Sequence, residues 1–326
     1  MVTMARSFNL PSKPFYRQDR GVVPPRLGSL SSRASAFCAA RDLGESRDSP
    51  AFFAGEVNAR LARFLIQLRA ADISLPMRVV IKVGTSLIAP GGQIDINLLR
   101  GMVDQFDLSK NEYLIVTSGA IAAGMSGLTL EKRPTDVPRM QACAAVGQSK
   151  LMHTYERVFF GKKVVAQLLL SSDDFTSPVR YRNLQNALAE LLTLGVVPIV
   201  NENDSVSVRE IEGAFGDNDE LSSLLATAVG ADWLLLLTNV DGFMVPNGRK
   251  KPKLQRVIRK LTPALEAQCN GKSSLGRGGM ISKLRAAKLA SEGGVHVAIV
   301  NGRHPQAITL GMQRKIGTYF PPQKES

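Results

Sequence analysis

The amino-acid sequence predicts an α/β protein, a three-layer αβα sandwich built on a central, mainly parallel sheet. From Arg78 onward, short and nearly continuous apolar runs alternate with segments of helical period. Those runs end in glycine or in small polar residues, where open α/β sheets release the chain toward a ligand. At 44% hydrophobic and 21% charged, the 326 residues have the composition of an ordinary globular protein that buries a sizeable core.

Taken in order, Arg78–Val83 is a strand of apolar residues broken by one lysine, and Gly84-Thr85-Ser86 is a small-residue turn. Ile96–Phe106 has an amphipathic helical period, and Tyr113–Thr117 is a second strand opening into Ser118-Gly119-Ala120. A long helix covers Val137–Phe160, a strand Val164–Leu170, a helix Asn183–Leu194 and a fourth strand Val196–Val200. Leu221–Val229 is helical, Trp233–Leu237 a strand, Ser282–Ser291 a helix and Val295–Val300 the last strand. The sequence ends soon afterwards, so a single domain over 77–326 is expected, and no internal repeat is visible.

Composition excludes several classes. No apolar run reaches about 18 residues, so no membrane span is expected. Cys38, Cys143 and Cys269 share no CxxC spacing and the three histidines are scattered, which argues against a disulfide framework and against a zinc site. The net charge of +13 invites a nucleic-acid reading. It is spread, however: residues 1–76 hold 11 Lys and Arg against 6 Asp and Glu, +5, leaving 30 against 22, +8, for the rest. With no aromatic ribbon or recognition helix beside it, a phosphate-bearing substrate or a solvated basic surface explains the charge more simply.

Residues 1–76 are rich in Arg and Ser, carry Pro11, Pro14, Pro24 and Pro25, and show helical amphipathicity only over Glu56–Ala71. Three readings stand: an organelle transit peptide, a disordered extension, or an extension upstream of a start at Met77. The first places the protein in an organelle, the others in the cytoplasm.

Five motifs sit at strand or helix ends. Val200-Asn201-Glu202-Asn203-Asp204 turns abruptly from apolar to polar at a strand end, and Gly216-Asp217-Asn218-Asp219 repeats that chemistry before a helix. Lys82 lies inside the first strand, where lysine is rarely buried without a partner, and Gly84 after it permits close backbone approach to an anion. Ser118-Gly119-Ala120 offers free amides at a helix start. Thr238 and Asn239 follow a strand, with Asp241-Gly242 as a tight turn. Gly276-Arg277-Gly278-Gly279-Met280-Ile281-Ser282-Lys283 is a glycine-rich loop opening a helix, though neither a Walker A nor a dinucleotide motif. Each has a plainer reading as turn, cap or packing. Together they supply two lysines, two amide-rich loops and a carboxylate–carboxamide cluster. Lysines and amides suit a transferring phosphoryl group, and carboxylates and carboxamides suit a zwitterionic acceptor and Mg²⁺.

Ile81–Ser86, Val116–Gly124, Ala144-Ala145-Val146-Gly147-Gln148, Asn201–Asp204, Gly216–Asp219 and Gly278–Lys283 resemble the glutamate 5-kinases of the amino acid kinase family, from about Arg78 to Phe320 and in the family's order. Arg277 stands where many relatives have Thr, Asn239 where Asp is common, and the C-terminal PUA domain of many members is missing. The resemblance implies an amino acid kinase-like fold and transfer of the γ-phosphoryl of Mg·ATP to the side-chain carboxylate of L-glutamate, the first step toward proline. By the same resemblance Lys82 and Lys283 act on the phosphoryl oxygens and Asp217 orients both lysines. Ser118, Asp204 and Asn218 hold glutamate. ATP is held by Lys82, Gly84, Thr238, Asn239, Arg277, Gly278, Gly279, Met280, Ile281, Ser282 and Lys283. Magnesium comes mainly through ATP rather than through a protein cage. A homo-oligomer, feedback by proline, and hand-over to a glutamyl phosphate reductase are implied too. No nucleic acid or membrane partner is expected. The rivals are a sister kinase acting on another acid, and a catalytically silent regulatory or nucleic-acid-binding protein.

A chain shortened to begin at Met77 is expected to keep full glutamate kinase activity and to melt within a few degrees of the long form. A large loss of either, by coupled assay and calorimetry, would mean that Glu56–Ala71 docks on the body.

Overall fold

Lys82 is the next-to-last residue of β1 (Arg78–Val83), the middle strand of a seven-stranded sheet. The computed structural model describes residues 76–206, 218–248, 250–269 and 279–323. The reading of residues 1–76 therefore lies almost wholly outside the described residues. From β1 the chain passes through α1 (Thr85–Ile88) and α2 (Ile96–Val103) to β2 (Glu112–Thr117), then α3 (Ala120–Gly127) and α4 (Val137–Phe159). It continues through β3 (Val165–Leu170), α5 (Asp173–Thr176), α6 (Pro178–Thr193), β4 (Val197–Glu202), α7 (Asn218–Ala228) and β5 (Trp233–Thr238). A hairpin of β6 (Met244–Asn247) and β7 (Lys250–Leu254) leads to α8 (Pro263–Ala267), α9 (Met280–Glu292), β8 (His296–Asn301), α10 (Ala307–Met312) and β9 (Thr318–Phe320).

The sheet order is β3-β4-β2-β1-β5-β8-β9, every pairing parallel except β8 with β9. Succeeding strands are added first on one side of β1 and then on the other. A parallel sheet opens a ligand crevice at its carboxyl edge where that direction reverses. Every side chain from Val79 to Val83 is buried, as a central strand covered on both faces requires. One face packs Leu87, Leu99, Met102, Leu151, Tyr155 and Ile308 from α1, α2, α4 and α10. The other packs Leu184, Leu188, Leu225, Leu284 and Ala287 from α6, α7 and α9. These two apolar layers confirm the three-layer αβα reading.

The expected strands recur with ends moved by one or two residues, and Asn201 and Glu202 prolong β4 beyond the expected Val200. Helix α6 begins at Pro178, five positions before the expected Asn183, because a proline fits the first turn, whose N–H groups have no helical partner anyway. β8 is not the last strand: β9 follows it antiparallel, with Thr318 paired to Ile299. Three residues are too few to show a period.

Asp95 and Asp136 cap α2 and α4 by accepting from the backbone N–H of Leu98 and Arg139. α3 lies against α4 almost backbone to backbone. A Cβ on Gly147 would sit 1.7 Å from the Ala120 carbonyl oxygen and 2.4 Å from the Gly124 nitrogen. That approach fixes the start of α3, and with it the amides beside Ser118. Gly147→Ala is expected to cost about 3 kcal/mol, the upper end for overpacking because backbone must move. A urea midpoint unchanged within about 0.5 kcal/mol, the ordinary range of a surface change, would show the contact to be loose.

Candidate active site

A carboxylate with no exposure, Asp219, lies between two lysines. Its Oδ1 is 2.6 Å from the Nζ of Lys82 and its Oδ2 is 2.9 Å from the Nζ of Lys283. The three groups come from β1 and from the first turns of α7 and α9. Lys82 is 2% and Lys283 8% exposed, so three charges are withdrawn together from water. Burial by itself would push the Asp219 carboxyl up. The charges of Lys82 and Lys283, with their hydrogen bonds, outweigh it and hold the group well below the usual carboxylate range. The Ser282 hydroxyl, 2.8 Å from Oδ2, adds a polar neighbour.

Beside this triad a neutral network links β2, α4, β4 and α7. The Nδ2 of Asn218 donates to the Ser118 hydroxyl at 2.8 Å and to the Asn201 Oδ1 at 3.1 Å, and the Asn201 Nδ2 donates to the Gln148 Oε1 at 2.9 Å. Two buried ends of the network have no hydrogen-bond partner: the Gln148 Nε2, a donor, and the Asn218 Oδ1, an acceptor. A donor and an acceptor left together in a buried site suit a ligand that carries both kinds of group. Gly119, at a φ of 95°, takes the left-handed turn that closes β2 and opens α3. Thr85, Ser118, the residues 119–122, Arg133, Asn201, Asp204 and Asn218 line one small concavity.

The structure thus brings Lys82, Ser118, Asp204, Asn218 and Lys283 to one edge. Gly84 is there too, since a Cβ on it would meet the Lys82 Nζ at 3.5 Å. Thr238 ends β5, the strand next to β1, and Asn239 follows it, with Thr238 buried and Asn239 exposed. Gly279 is the N-cap of α9, whose first residues are Met280, Ile281, Ser282 and Lys283. Asp217, Arg277 and Gly278 lie outside the described residues. Among the described residues the carboxylate between the two lysines is Asp219. Sequence reasoning placed Asn201 in the polar cluster and Gln148 in a family motif but gave neither a role of its own. The available signal for Asp219 was its place next but one before Leu221, where a helix starting at Asn218 turns it inward.

Parallel strands, a buried Lys–Asp–Lys triad and helix starts gathered at the sheet's carboxyl edge define a group-transfer enzyme's site. The chain belongs to the amino acid kinase family, whose model matches residues 77–301. It is 41% identical over 269 residues to the Glutamate 5-kinase of Geobacter sulfurreducens, covering 79% of this chain and 71% of that one. To the Glutamate 5-kinase of Listeria monocytogenes it is also 41% identical, over 260 residues, 76% of this chain and 94% of that one. Among solved structures, carbamate kinase from Giardia lamblia bound to AMP-PNP superposes with a TM-score of 0.53 over 77% of this chain and all of that one. At 17% identity that likeness shows the fold alone.

Asp219→Ala leaves two buried cations without their anion, and is expected to cost about 3–5 kcal/mol in urea denaturation. Because its folded-state pKa is depressed, the carboxylate's contribution is complete above its unfolded value of about 3.9 and is lost as the pH falls through the folded value. Wild-type stability should therefore be insensitive to this group from pH 8 to about 5. An effect of Asp219→Ala under about 1 kcal/mol at pH 7 would show that the lysines are solvated.

Proposed function

We propose that this protein transfers the γ-phosphoryl group of Mg·ATP to the side-chain carboxylate of L-glutamate, giving γ-glutamyl phosphate and ADP. The observation that carries the reading is the buried triad Lys82–Asp219–Lys283 beside a carboxamide network, in a chain 41% identical to glutamate 5-kinases across its body. An ionised carboxylate needs no general base. One of its oxygens attacks the γ-phosphorus while the bridging oxygen leaves with ADP, and the barrier falls through positioning and charge neutralisation. Lys82 and Lys283 meet the charge on the transferring oxygens, and Asp219 holds their ammonium groups in place. The N-terminus of α9, from Gly279 to Lys283, with Thr238 at the end of β5 and Asn239 after it, forms the nucleotide side, a role the resemblance also gives to Arg277 and Gly278.

Glutamate's α-ammonium goes to Asp204 and to the Asn218 Oδ1. Its α-carboxylate goes to the Gln148 Nε2 and the first amides of α3, next to Ser118. The concavity is small, about 20 Å³, and Arg133 at its rim is exposed. Among the described residues no three of His, Cys, Asp and Glu gather as a metal cage. Magnesium in this proposal is carried by the phosphates of ATP, where it would neutralise the polyphosphate. No helix among the described residues is long and apolar enough to cross a membrane. Homo-oligomerisation, inhibition by proline, delivery to a reductase and a cytoplasmic location belong to this proposal and rest on the sequence resemblance alone.

In a coupled ADP-release assay, L-glutamate should be the preferred acceptor over L-aspartate, N-acetyl-L-glutamate and carbamate. Lys82→Ala should lower kcat by about 10²–10⁴ with little change in the KM for glutamate. Asp204→Ala should raise the KM for glutamate by about 30-fold or more and spare that for ATP. Equal turnover of carbamate, or a kcat within a few-fold in Lys82→Ala, would dismiss the assignment.

A further inference from the structure

A second cavity, of about 590 Å³, opens at the far end of the sheet, between residues 256–259 and the turn from α10 to β9. Arg256, Arg259, Arg314 and Lys315 line it, together with Tyr319, and no carboxylate does among the described residues. None of these four cations pairs with an Asp or Glu among the described residues, whereas Arg78, Arg180, Arg285 and Arg303 each have such a partner. Two of these exposed cations are held in position. Arg314 has a φ of 61°, in the left-handed region uncommon for a non-glycine residue, and its guanidinium lies 4.6 Å from the Tyr319 ring centroid. The Arg256 guanidinium donates to the Lys315 carbonyl at 2.7 Å, tying the two walls together. The Tyr319 hydroxyl is fixed by the His296 Nδ1 at 2.7 Å, and residues 256–258 are strapped to β9 by the Tyr319 N–H to Arg256 carbonyl bond and the Ile258 N–H to Tyr319 carbonyl bond.

Four like charges gathered around one concavity repel one another unless an anion joins them. One carboxylate would leave three of the four uncompensated. The match is a compact ligand with several negative oxygens, which arginine forks grip in pairs. A single strand of nucleic acid fits less well, because Tyr319 is buried beneath Arg314 and offers no open face for a base. The volume is that of a small-molecule pocket.

The site is separate from the triad. Arg314 also reaches the ring of Trp233, the first residue of β5, whereas Thr238 at the catalytic edge lies five residues on, about 16 Å at strand rise. Tyr319 and Trp233 belong to the apolar layer of α4 and α10, and the helices that carry Asp219 and Lys283 pack on the opposite face.

We propose that this cleft is a binding site for a small multivalent phosphate anion, of the pyrophosphate or phosphorylated-metabolite class, distinct from the nucleotide site. The test is calorimetric titration of inorganic pyrophosphate into the full chain, into Lys283→Ala, and into Arg259→Gln and Arg314→Gln. One pyrophosphate per chain should persist in Lys283→Ala and weaken by about tenfold or more in each arginine variant, with the KM for ATP in those variants unchanged. Arg259 touches no ring, so Arg259→Gln keeps the test valid should Arg314→Gln fold poorly. Binding lost in Lys283→Ala and kept in Arg259→Gln would assign the phosphate to the catalytic edge and overturn the proposal. Absence of binding at millimolar pyrophosphate would overturn it too. So would a short single-stranded RNA that outcompetes pyrophosphate through the same arginines.

Discussion

The Asp219 carboxylate and the ammonium groups of Lys82 and Lys283 are withdrawn from water together at the sheet's carboxyl edge, and each offsets the others' desolvation. This mutual dependence of Lys82, Asp219 and Lys283 ties β1, α7 and α9 into one unit. Asp219 is well placed in the first turn of α7, where the helix dipole favours a negative charge. Lys283 is badly placed by the same rule, in the first turn of α9, and the Asp219 carboxylate 2.9 Å away offsets that repulsion. An anionic phosphate at the α9 N-terminus would meet both the helix dipole and the ammonium group. A cation held at the wrong end of a helix makes sense as a site built for a ligand more negative than Asp219 alone.

The rest of the carboxyl edge divides the work. The triad is charged and belongs to the face covered by α7 and α9. The Ser118–Asn218–Asn201–Gln148 network is neutral, and it reads hydrogen-bond direction rather than charge. The network depends on the packing of α3 against α4, because Gln148 follows Gly147 on α4 and the amides near Ser118 begin α3. A methyl group at Gly147 would therefore disturb substrate geometry as well as stability, although no side chain there touches a ligand.

Much of this was legible in the sequence, for physical reasons that differ by element. Buried parallel strands such as Trp233–Thr238 must be apolar throughout, so they stand out, and one lysine inside such a run signals a partner. Asp219 was not legible with certainty: Gly216-Asp217-Asn218-Asp219 offers two aspartates two positions apart, and the apolar period begins only at Leu221. The helix described from Asn218 turns Asp219 inward. The β6–β7 hairpin was hidden because Lys250-Lys251-Pro252-Lys253 reads as a solvated charge run, and β9 because three residues show no period. The cationic cleft could not have been read at all, since Arg256 and Arg314 are far apart in sequence and meet only through the pairing of residues 256–258 with β9.

The central claim is that Lys82 and Lys283 act as one electrostatic unit held by Asp219. A double-mutant cycle in kcat tests it directly, comparing Lys82→Ala, Lys283→Ala and the doubly substituted enzyme. If one carboxylate positions both lysines, losing either misplaces the other, and the double loss should fall short of the product of the single losses by about tenfold or more. Losses that multiply within about twofold would mean that the lysines act independently, and would contradict the account.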